Sequence, residues 1–226
     1  MQVEIVQGPG NAAARVQLQP GEICVSEGGA MIAMRGNYSI ETKTAPRQRN
    51  IMSGLKRAMG GESFFQNFYT LQDQTPGEII FATSLPGDML SLDLSHGVGI
   101  IAEGGAFVVR SQDVQLDTTW QGMKSIFSGE GLFWLRLSGA GTVVLSAFGA
   151  VYSIDVDGEY IVDTGHIVAF EETLDFSISK AGKSWLSSFL GGEGLVCRLH
   201  GKGRVWCQSH NPPAFGKLLT PMLRAR

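Results

Sequence analysis

The sequence predicts an all-β protein built from three tandem β-sandwich repeats, each carrying one short helix. The 30 glycines among 226 residues suit many strands joined by tight turns, and charged residues make up only 17% of the chain, against a usual quarter. A segment containing Glu62, Glu130 or Glu193 also recurs roughly every 65 residues, which is typical of a repeat architecture.

A short apolar stripe precedes each of these glutamates at helical spacing. Its members are Leu55, Ala58 and Met59, then Met123, Ile126 and Phe127, then Leu186, Phe189 and Leu190. Apolar residues at positions i, i+3 and i+4 lie on one face of a helix, and the glycine after each stripe is a natural helix stop. One short helix per repeat is therefore predicted.

Strands are predicted on both sides of each helix. Upstream, residues 29–34, 105–110 and 165–170 match one another, and an alternating strand follows each, as at 38–42, 114–117 and 174–178. Downstream, two strands flank a Gly-rich loop at 138–141 and again at 201–203, which predicts β-hairpins. The repeats are placed at 1–92, 93–155 and 156–210. Residues 211–226 form a tail outside the repeats: Pro212 and Pro213 stop the last strand, and the basic residues 217–226 are expected to be frayed.

Composition and the three cysteines bear on location. The net charge is −3, whereas nucleic-acid-binding domains normally carry a basic excess. Cys24, Cys197 and Cys207 are odd in number, and the first ten residues lack the basic and apolar regions of a signal peptide. No apolar run approaches the ~18 residues of a transmembrane span. A cytoplasmic protein with free thiols and no transmembrane segment is expected.

Several motifs resemble the "altered inheritance of mitochondria" family of bacterial and fungal proteins. They are Gly21-Glu22 followed by residues 26–31, the Gly-Glu-Gly-Leu-Phe at 129–133, and residues 201–206. The resemblance implies a triplicated fold like that of the tryptophan RNA-binding attenuation protein (TRAP-like), with chains assembled into trimeric rings. Fungal relatives sit in mitochondria and are linked to inner-membrane organisation, whereas bacterial relatives have no settled activity. The N-terminus does not resemble a mitochondrial presequence, and the family supplies no catalytic residues.

The first candidate for a functional site is a zinc site. Cys197 and His200, and again Cys207 and His210, are three residues apart, a spacing found among zinc ligands. Residues three apart in a strand point to opposite faces. The predicted hairpin would instead place Cys197 directly across from Cys207, as a pair of small apolar thiols. We therefore predict that these residues are structural.

Other catalytic patterns are absent from the sequence. The histidines at positions 96, 166, 200 and 210 are never two apart, as a cupin-like metal triad requires. No Gly-x-Ser-x-Gly elbow is present, and Lys183 lacks the glycine of a phosphate loop, because Ser177 stands there. We predict no catalytic, cofactor-binding or metal-binding residue, no cofactor and no enzymatic activity.

The repeated glutamates have two possible roles. Glu62, Glu130 and Glu193 could form a ring of carboxylates that binds cations, or each could accept backbone N–H groups at the bend leaving its helix, which we favour. Glu22, Glu78 and Glu159 each follow a glycine at a predicted strand start, and we interpret them as repeated turn chemistry.

The function predicted from these features is a non-enzymatic scaffold or binding protein that forms a homo-oligomeric β ring, a trimer, with no small-molecule ligand assigned. One alternative is an RNA-binding ring, although the tryptophans are scattered and the basic residues cluster only at 47–49, 56–57 and the tail. The other alternative is a membrane-associated organiser, which would make peripheral membrane contact through the short helices or residues 217–226.

Overall fold

A computed structural model describes residues 1–44, 64–118, 134–180 and 195–223. These residues are mostly β, as predicted, with one short α-helix. The strands are β1 (Gln2–Val6), β2 (Ala13–Leu18), β3 (Ile23–Glu27), β4 (Met31–Arg35), β5 (Tyr38–Thr44), β6 (Phe65–Leu71), β7 (Gly77–Phe81), β8 (Met89–Asp93), β9 (Ile100–Glu103), β10 (Phe107–Ser111), β11 (Val114–Asp117), β12 (Trp134–Gly139), β13 (Thr142–Ser146), β14 (Val151–Asp163), β15 (Ile167–Glu171), β16 (Leu174–Lys180) and β17 (Leu195–Gln208). The helix is α1 (Pro212–Leu219), and single 3₁₀ turns occupy Gly104–Ala106, Thr164–His166 and Thr220–Met222.

The described strands form three antiparallel sheets. One has the order β1-β2-β7-β4, the second β5-β6-β3-β10-β13-β8, and the third β11-β12-β9-β15-β17-β14 with β16 added beside β17. Strands of one sheet come from distant parts of the chain, because β3 pairs with β10 and β9 pairs with β15. The sheets therefore tie successive stretches of the chain together.

The same pairing scheme occurs in three successive stretches. Between residues 13 and 81, β7 pairs with β2 and β4, while β6 pairs with β3 and β5. Between 89 and 146, β13 pairs with β8 and β10, while β12 pairs with β9 and β11. Between 151 and 208, the long β17 pairs along its whole length with β14, and also with β15 and β16.

A register shift recurs at one position of each stretch. It falls between Met31 and Ala33, between Phe107 and Val109, and between Ile167 and Ala169. Each shift skips one residue, as in a β-bulge, which bends the strand and increases its twist. All three lie in strands that the sequence predicts at 29–34, 105–110 and 165–170.

The predicted hairpins are wrong. Strands β12 and β13 follow one another but lie in different sheets, and residues 195–208 form one continuous strand rather than two. Gly139 (φ 107°), Gly141 (φ 135°) and Gly201 (φ 124°) do adopt the positive φ angles that glycine allows. Gly139 and Gly141 lie where the chain passes from β12 in one sheet to β13 in another, and Gly201 lies within the continuous β17, so none of them reverses the chain.

The core consists of three clusters of apolar side chains: one drawn from the first and second sheets, one from the second and third, and one from the third sheet alone. Aromatic pairs mark each cluster: Phe64 with Phe107 at a ring-centroid distance of 6.1 Å, Tyr69 with Phe81 at 5.7 Å, and Trp134 with Phe170 at 5.8 Å. Tilted and edge-on ring geometry adds to the stabilisation from burial alone.

The described part of the tail forms helix α1 and a 3₁₀ turn through Met222, so residues 217–222 are helical where fraying is predicted. The Asn211 side chain accepts the Ala214 N–H at 3.1 Å and so caps the helix, whose first positions are the two prolines. The Phe215 ring packs on Phe148 at 5.2 Å. Pro212 and Pro213 therefore begin a helix that contacts Phe148, in the segment after β13.

Two other predictions are neither confirmed nor contradicted. The three predicted helices, including Leu55, Met123 and Leu186, lie outside the described residues. The division at 92/93 and 155/156 stays a prediction, although these positions fall inside β8 and β14.

Candidate functional site

A cavity of about 670 Å³ opens where corners from all three stretches of chain meet. Three groups of residues line it: the corners after β3 and β9 and between β14 and β15, the segments after β7 and β13, and the chain leading into α1. Pro212 and Pro213 form part of its wall. The cavity is the place in the described chain where the three stretches converge.

An acidic residue ends a strand at each of the three corners. Glu27 ends β3, Glu103 ends β9 and Asp163 ends β14. Their register partners are also equivalent, since Glu27 pairs with Gln66, Glu103 with Trp134, and Asp163 with Val196. The Asp163 carboxylate accepts the Gly165 N–H at 2.8 Å, and backbone N–H groups of Gly105 and Ala106 bond to Glu103. These carboxylates thus shape the corners.

Two of the carboxyl groups have strongly raised pKa values. Burial raises the pKa of Glu103 to about 7, although its backbone hydrogen bonds act in the opposite direction. Burial also raises the pKa of Glu27 to about 7, and the nearby charge of Glu103 adds to the effect. Desolvation and a like charge both disfavour the ionised form. Among the described residues that line the cavity, none is a lysine, arginine or histidine.

The polar side chains in the cavity wall hold the backbone together. Gln208 accepts the Phe148 N–H at 2.8 Å and donates to the Gly165 carbonyl at 3.0 Å, so it bridges two corners. The Ser146 hydroxyl donates to the Ala106 carbonyl at 3.3 Å. These side chains therefore already have partners within the wall, to which Glu27 and Glu103 add two carboxyl groups.

The described residues contain no cluster of three or more His, Cys, Asp or Glu side chains that could hold a metal ion. The cysteine prediction needs a correction in its geometry. Cys197 pairs with Val162 and Ile178, while Cys207 pairs with Tyr152 and Ile167, so the two thiols do not face each other. The reason is that residues 195–208 run straight on as one strand.

The cysteines and histidines of the proposed zinc pattern are dispersed. Both thiols are fully buried, and burial raises the pKa of Cys197 to about 12 and that of Cys207 to about 11. His200 is exposed on β17, while the His210 ring stacks on Phe148 at 5.1 Å. The buried, protonated thiols fit a structural role.

The glutamates picked out from the sequence have different outcomes. Glu62, Glu130 and Glu193 lie outside the described residues. Glu22 does stabilise a turn, since its carboxylate accepts the Gln19 N–H at 2.7 Å and the N-terminal amine at 2.6 Å. Glu78 and Glu159 instead lie within β7 and β14, where they face Arg15 at 3.6 Å and Arg198 at 3.4 Å.

A second feature is the exposed apolar surface of two strand edges. On β4, Ile32 is 60% exposed and Met34 is 45% exposed; on β14, Tyr160 is 43% and Ile161 is 45% exposed. β4 pairs with β7 alone, and β14 with β17 alone, among the described strands. We call β4 and residues 159–163 of β14 the open edges. An unpaired strand edge with apolar side chains is a template for pairing with a strand of another chain.

No described helix is long and apolar enough to cross a membrane. A family model described as mitochondrial biogenesis AIM24 matches residues 3–210. The chain belongs to this AIM24 family. It is 28% identical over 212 residues to an uncharacterized protein of Streptococcus pyogenes serotype M6, covering 88% of the chain and 84% of that protein. A crystal structure of a Streptococcus pyogenes protein superposes with a TM-score of 0.76 at 24% identity, covering 98% and 99% of the two chains, and shows the shared fold.

The corner carboxyl groups were missed by reasoning from the sequence. A signal was present, because Glu-Gly-Gly-Ala occurs at residues 27–30 and again at 103–106. The first copy was used only as part of the family resemblance. Comparing the two copies would have identified Glu27 and Glu103 as equivalent.

Proposed function

We propose that this AIM24-family protein is a non-enzymatic scaffold built from three TRAP-like units that self-associates through its open edges. Three units, at residues 13–81, 89–146 and 151–208, are supported by the threefold recurrence of strand pairings and of the register shift. Each unit contributes the equivalent of six strands; in the third unit, four of these are joined in pairs as the long strands β14 and β17. The three buried, unpaired thiols support a reducing compartment such as the cytoplasm.

Neighbouring units are joined by backbone pairing at two junctions. At the first junction β3 pairs with β10, and at the second β9 pairs with β15. The third pair of equivalent strands is β14 with β4. These two strands remain unpaired with each other, so one chain ends in two different open edges.

The single observation that carries the proposal is the contrast in burial at equivalent positions. Val108 and Val168 are essentially buried, at 0% and 1% exposure, whereas the equivalent Ile32 is 60% exposed. Val25 and Ile101 are fully buried, whereas the equivalent Ile161 is 45% exposed. Burying an isoleucine stabilises by about 1.5–3 kcal/mol. Covering the open edges with another copy therefore supplies a driving force for assembly.

The two open edges differ, so association through them is head to tail. Such heterologous contacts close into rings when the rotation between copies allows. A ring of three chains, the state that the family resemblance implies, pairs both open edges of every chain. The protein acts in this proposal through the surface of the ring rather than through a reaction centre.

Light scattering on the wild-type protein tests the proposal. For the wild type we expect a molar mass at least twice the 24.3 kDa of one chain. The double variant Met34→Asp with Ile161→Asp should have a mass near 24.3 kDa, because each carboxylate would have to be buried at the contact. Leu218→Asp, on the exposed face of α1, is the matched control and should leave the mass unchanged. A monomeric wild-type protein at tens of micromolar would refute self-association.

A second candidate function is peripheral membrane contact, favoured by the tail. Leu218 is 63% exposed, Met222 74% and Leu223 70%, and Lys217 is the basic residue of the last turn of α1. Exposed apolar side chains beside basic ones suit the interface of an anionic bilayer.

Flotation tests this second candidate. The wild-type protein is expected to float with vesicles containing phosphatidylserine, while Leu218→Asp with Leu223→Asp should remain at the bottom of the gradient. Met34→Asp serves here as the control that should still float. Equal flotation of the tail variant and the wild type would show that the tail does not bind the membrane.

A further inference from the structure

We infer that β14 of one copy pairs antiparallel with β4 of a second copy, in the register that places Ile161 opposite the partner's Met34. This inference rests on the proposed self-association and goes further by naming the strands, the register and the partner. The partner is a second copy of this chain, and the contact adds one strand edge to another.

The register follows from the two junctions within the chain. At the first, Ser26 pairs with Val109 and Val25 with Arg110. At the second, Ala102 pairs with Ala169 and Ile101 with Phe170. The residues in the same places on the open edges are Val162 and Ile161 on β14, and Ala33 and Met34 on β4. Continuing the pattern pairs Val162 with the partner's Ala33 and Ile161 with the partner's Met34.

A contact between side chains accompanies each existing junction. At the first, the buried Arg110 guanidinium donates to the Gln66 side chain at 3.1 Å. At the second, Phe170 packs edge-on against Trp134 at 5.8 Å. Gln66 and Trp134 occupy the position that Val196 occupies in the third unit, because each pairs with a corner acid.

The third junction would therefore place the partner's Met34 against Val196. Val196 is 8% exposed and Met34 is 45% exposed, and both are apolar. The three junctions thus differ in chemistry: one is polar, one aromatic and one aliphatic. An aliphatic contact without hydrogen bonds of its own is suited to a junction formed between separately folded chains.

Burial also favours a second copy over closure within one chain. Tyr160 and Ile161 are adjacent in β14 and point to opposite faces, yet both are about equally exposed. Likewise Ile32, Ala33, Met34 and Arg35 are all exposed on β4. Solvent reaches both faces of both open edges, so each edge is available to an incoming strand.

Cysteine cross-linking across the predicted register tests the inference. The double variant Met34→Cys with Ile161→Cys would be oxidised under native conditions and run on a non-reducing denaturing gel. We expect a ladder of covalent oligomers whose largest member gives the number of chains in the ring. The double variant Met34→Cys with Tyr160→Cys is the matched control, since a one-residue slip turns the side chain to the other face.

Mixing the two single variants separates contacts between chains from contacts within one. Met34→Cys protein combined with Ile161→Cys protein, refolded together, is expected to yield a disulfide-linked dimer that neither gives alone. A monomer with an internal disulfide in the double variant would overturn the inference in favour of closure within the chain. Equal cross-linking in the control register would overturn the register.

The native mass distinguishes this inference from the function on which it rests. If the wild type is oligomeric but the double variant Met34→Cys with Ile161→Cys gives no cross-link, the named junction is refuted and self-association stands. A monomeric wild type would refute both. The native thiols do not interfere, because Cys24, Cys197 and Cys207 are fully buried.

Discussion

Replacing Phe107 by alanine is expected to lower the free energy of unfolding by about 3–5 kcal/mol. Phe107 is fully buried at the start of β10, its ring lies 6.1 Å from that of Phe64, and it pairs with Leu145 across the sheet. The loss combines the transfer free energy of the ring with a cavity that the surrounding strands fill only in part. Urea unfolding followed by circular dichroism measures the change.

A matched control lies on β6, which is separated from β10 by β3 in the same sheet. Phe65 begins β6 and is 45% exposed, so Phe65→Ala removes the same atoms with little cavity and should cost less than about 1 kcal/mol. Similar losses for the two variants would contradict the assignment of Phe107 to the core.

Much of the fold could be predicted from local patterns. Alternating apolar residues at 114–117 and 174–178 indicate strands, and both are present as β11 and β16. The all-β class follows from the same patterns together with the glycine content. The register shift recurs at Ile32, Val108 and Val168. These three positions lie in segments of the sequence that match one another in composition as well as in spacing.

The direction of the chain after each glycine-rich segment could not be predicted. Gly139 and Gly201 need positive φ angles, and so do the glycines of tight hairpins. The same residue type therefore serves a reversal, a passage between sheets such as that at Gly139, and the interior of a continuous strand such as that at Gly201. What decides between them is long-range pairing, such as β12 with β9 and β13 with β10, and a local pattern carries no information about it.

The candidate site was harder to predict than the fold. Sequence reasoning examined Cys197 and Cys207 because of their spacing, but chain topology separates them. It missed Glu27 and Glu103 because a single carboxylate beside glycines looks like ordinary turn chemistry. Only the convergence of separate corners on one cavity distinguishes these two residues, and convergence is a property of the folded chain.

Glu103→Gln is expected to stabilise the protein at pH 8 by up to about 3 kcal/mol. The Glu103 pKa is raised to about 7 by burial, from an ordinary value of 4.5. The folded state therefore holds its proton more tightly than the unfolded state. Stability from this group is fully present below pH 4.5 and is lost as the pH rises through 7. Each pKa unit corresponds to about 1.36 kcal/mol.

The amide keeps the shape of the carboxyl group and can still accept the N–H groups of Gly105 and Ala106, but it has no charge to bury. Urea unfolding of wild type and variant at pH 5, 6, 7 and 8 should therefore show a gap that widens as the pH rises. Glu41→Gln, at a fully exposed position on β5, controls for the loss of a surface charge and should show no such widening. A constant gap for Glu103→Gln would mean that the carboxyl group ionises freely in the folded chain. In that case, water would have to reach the Glu103 carboxylate inside the cavity.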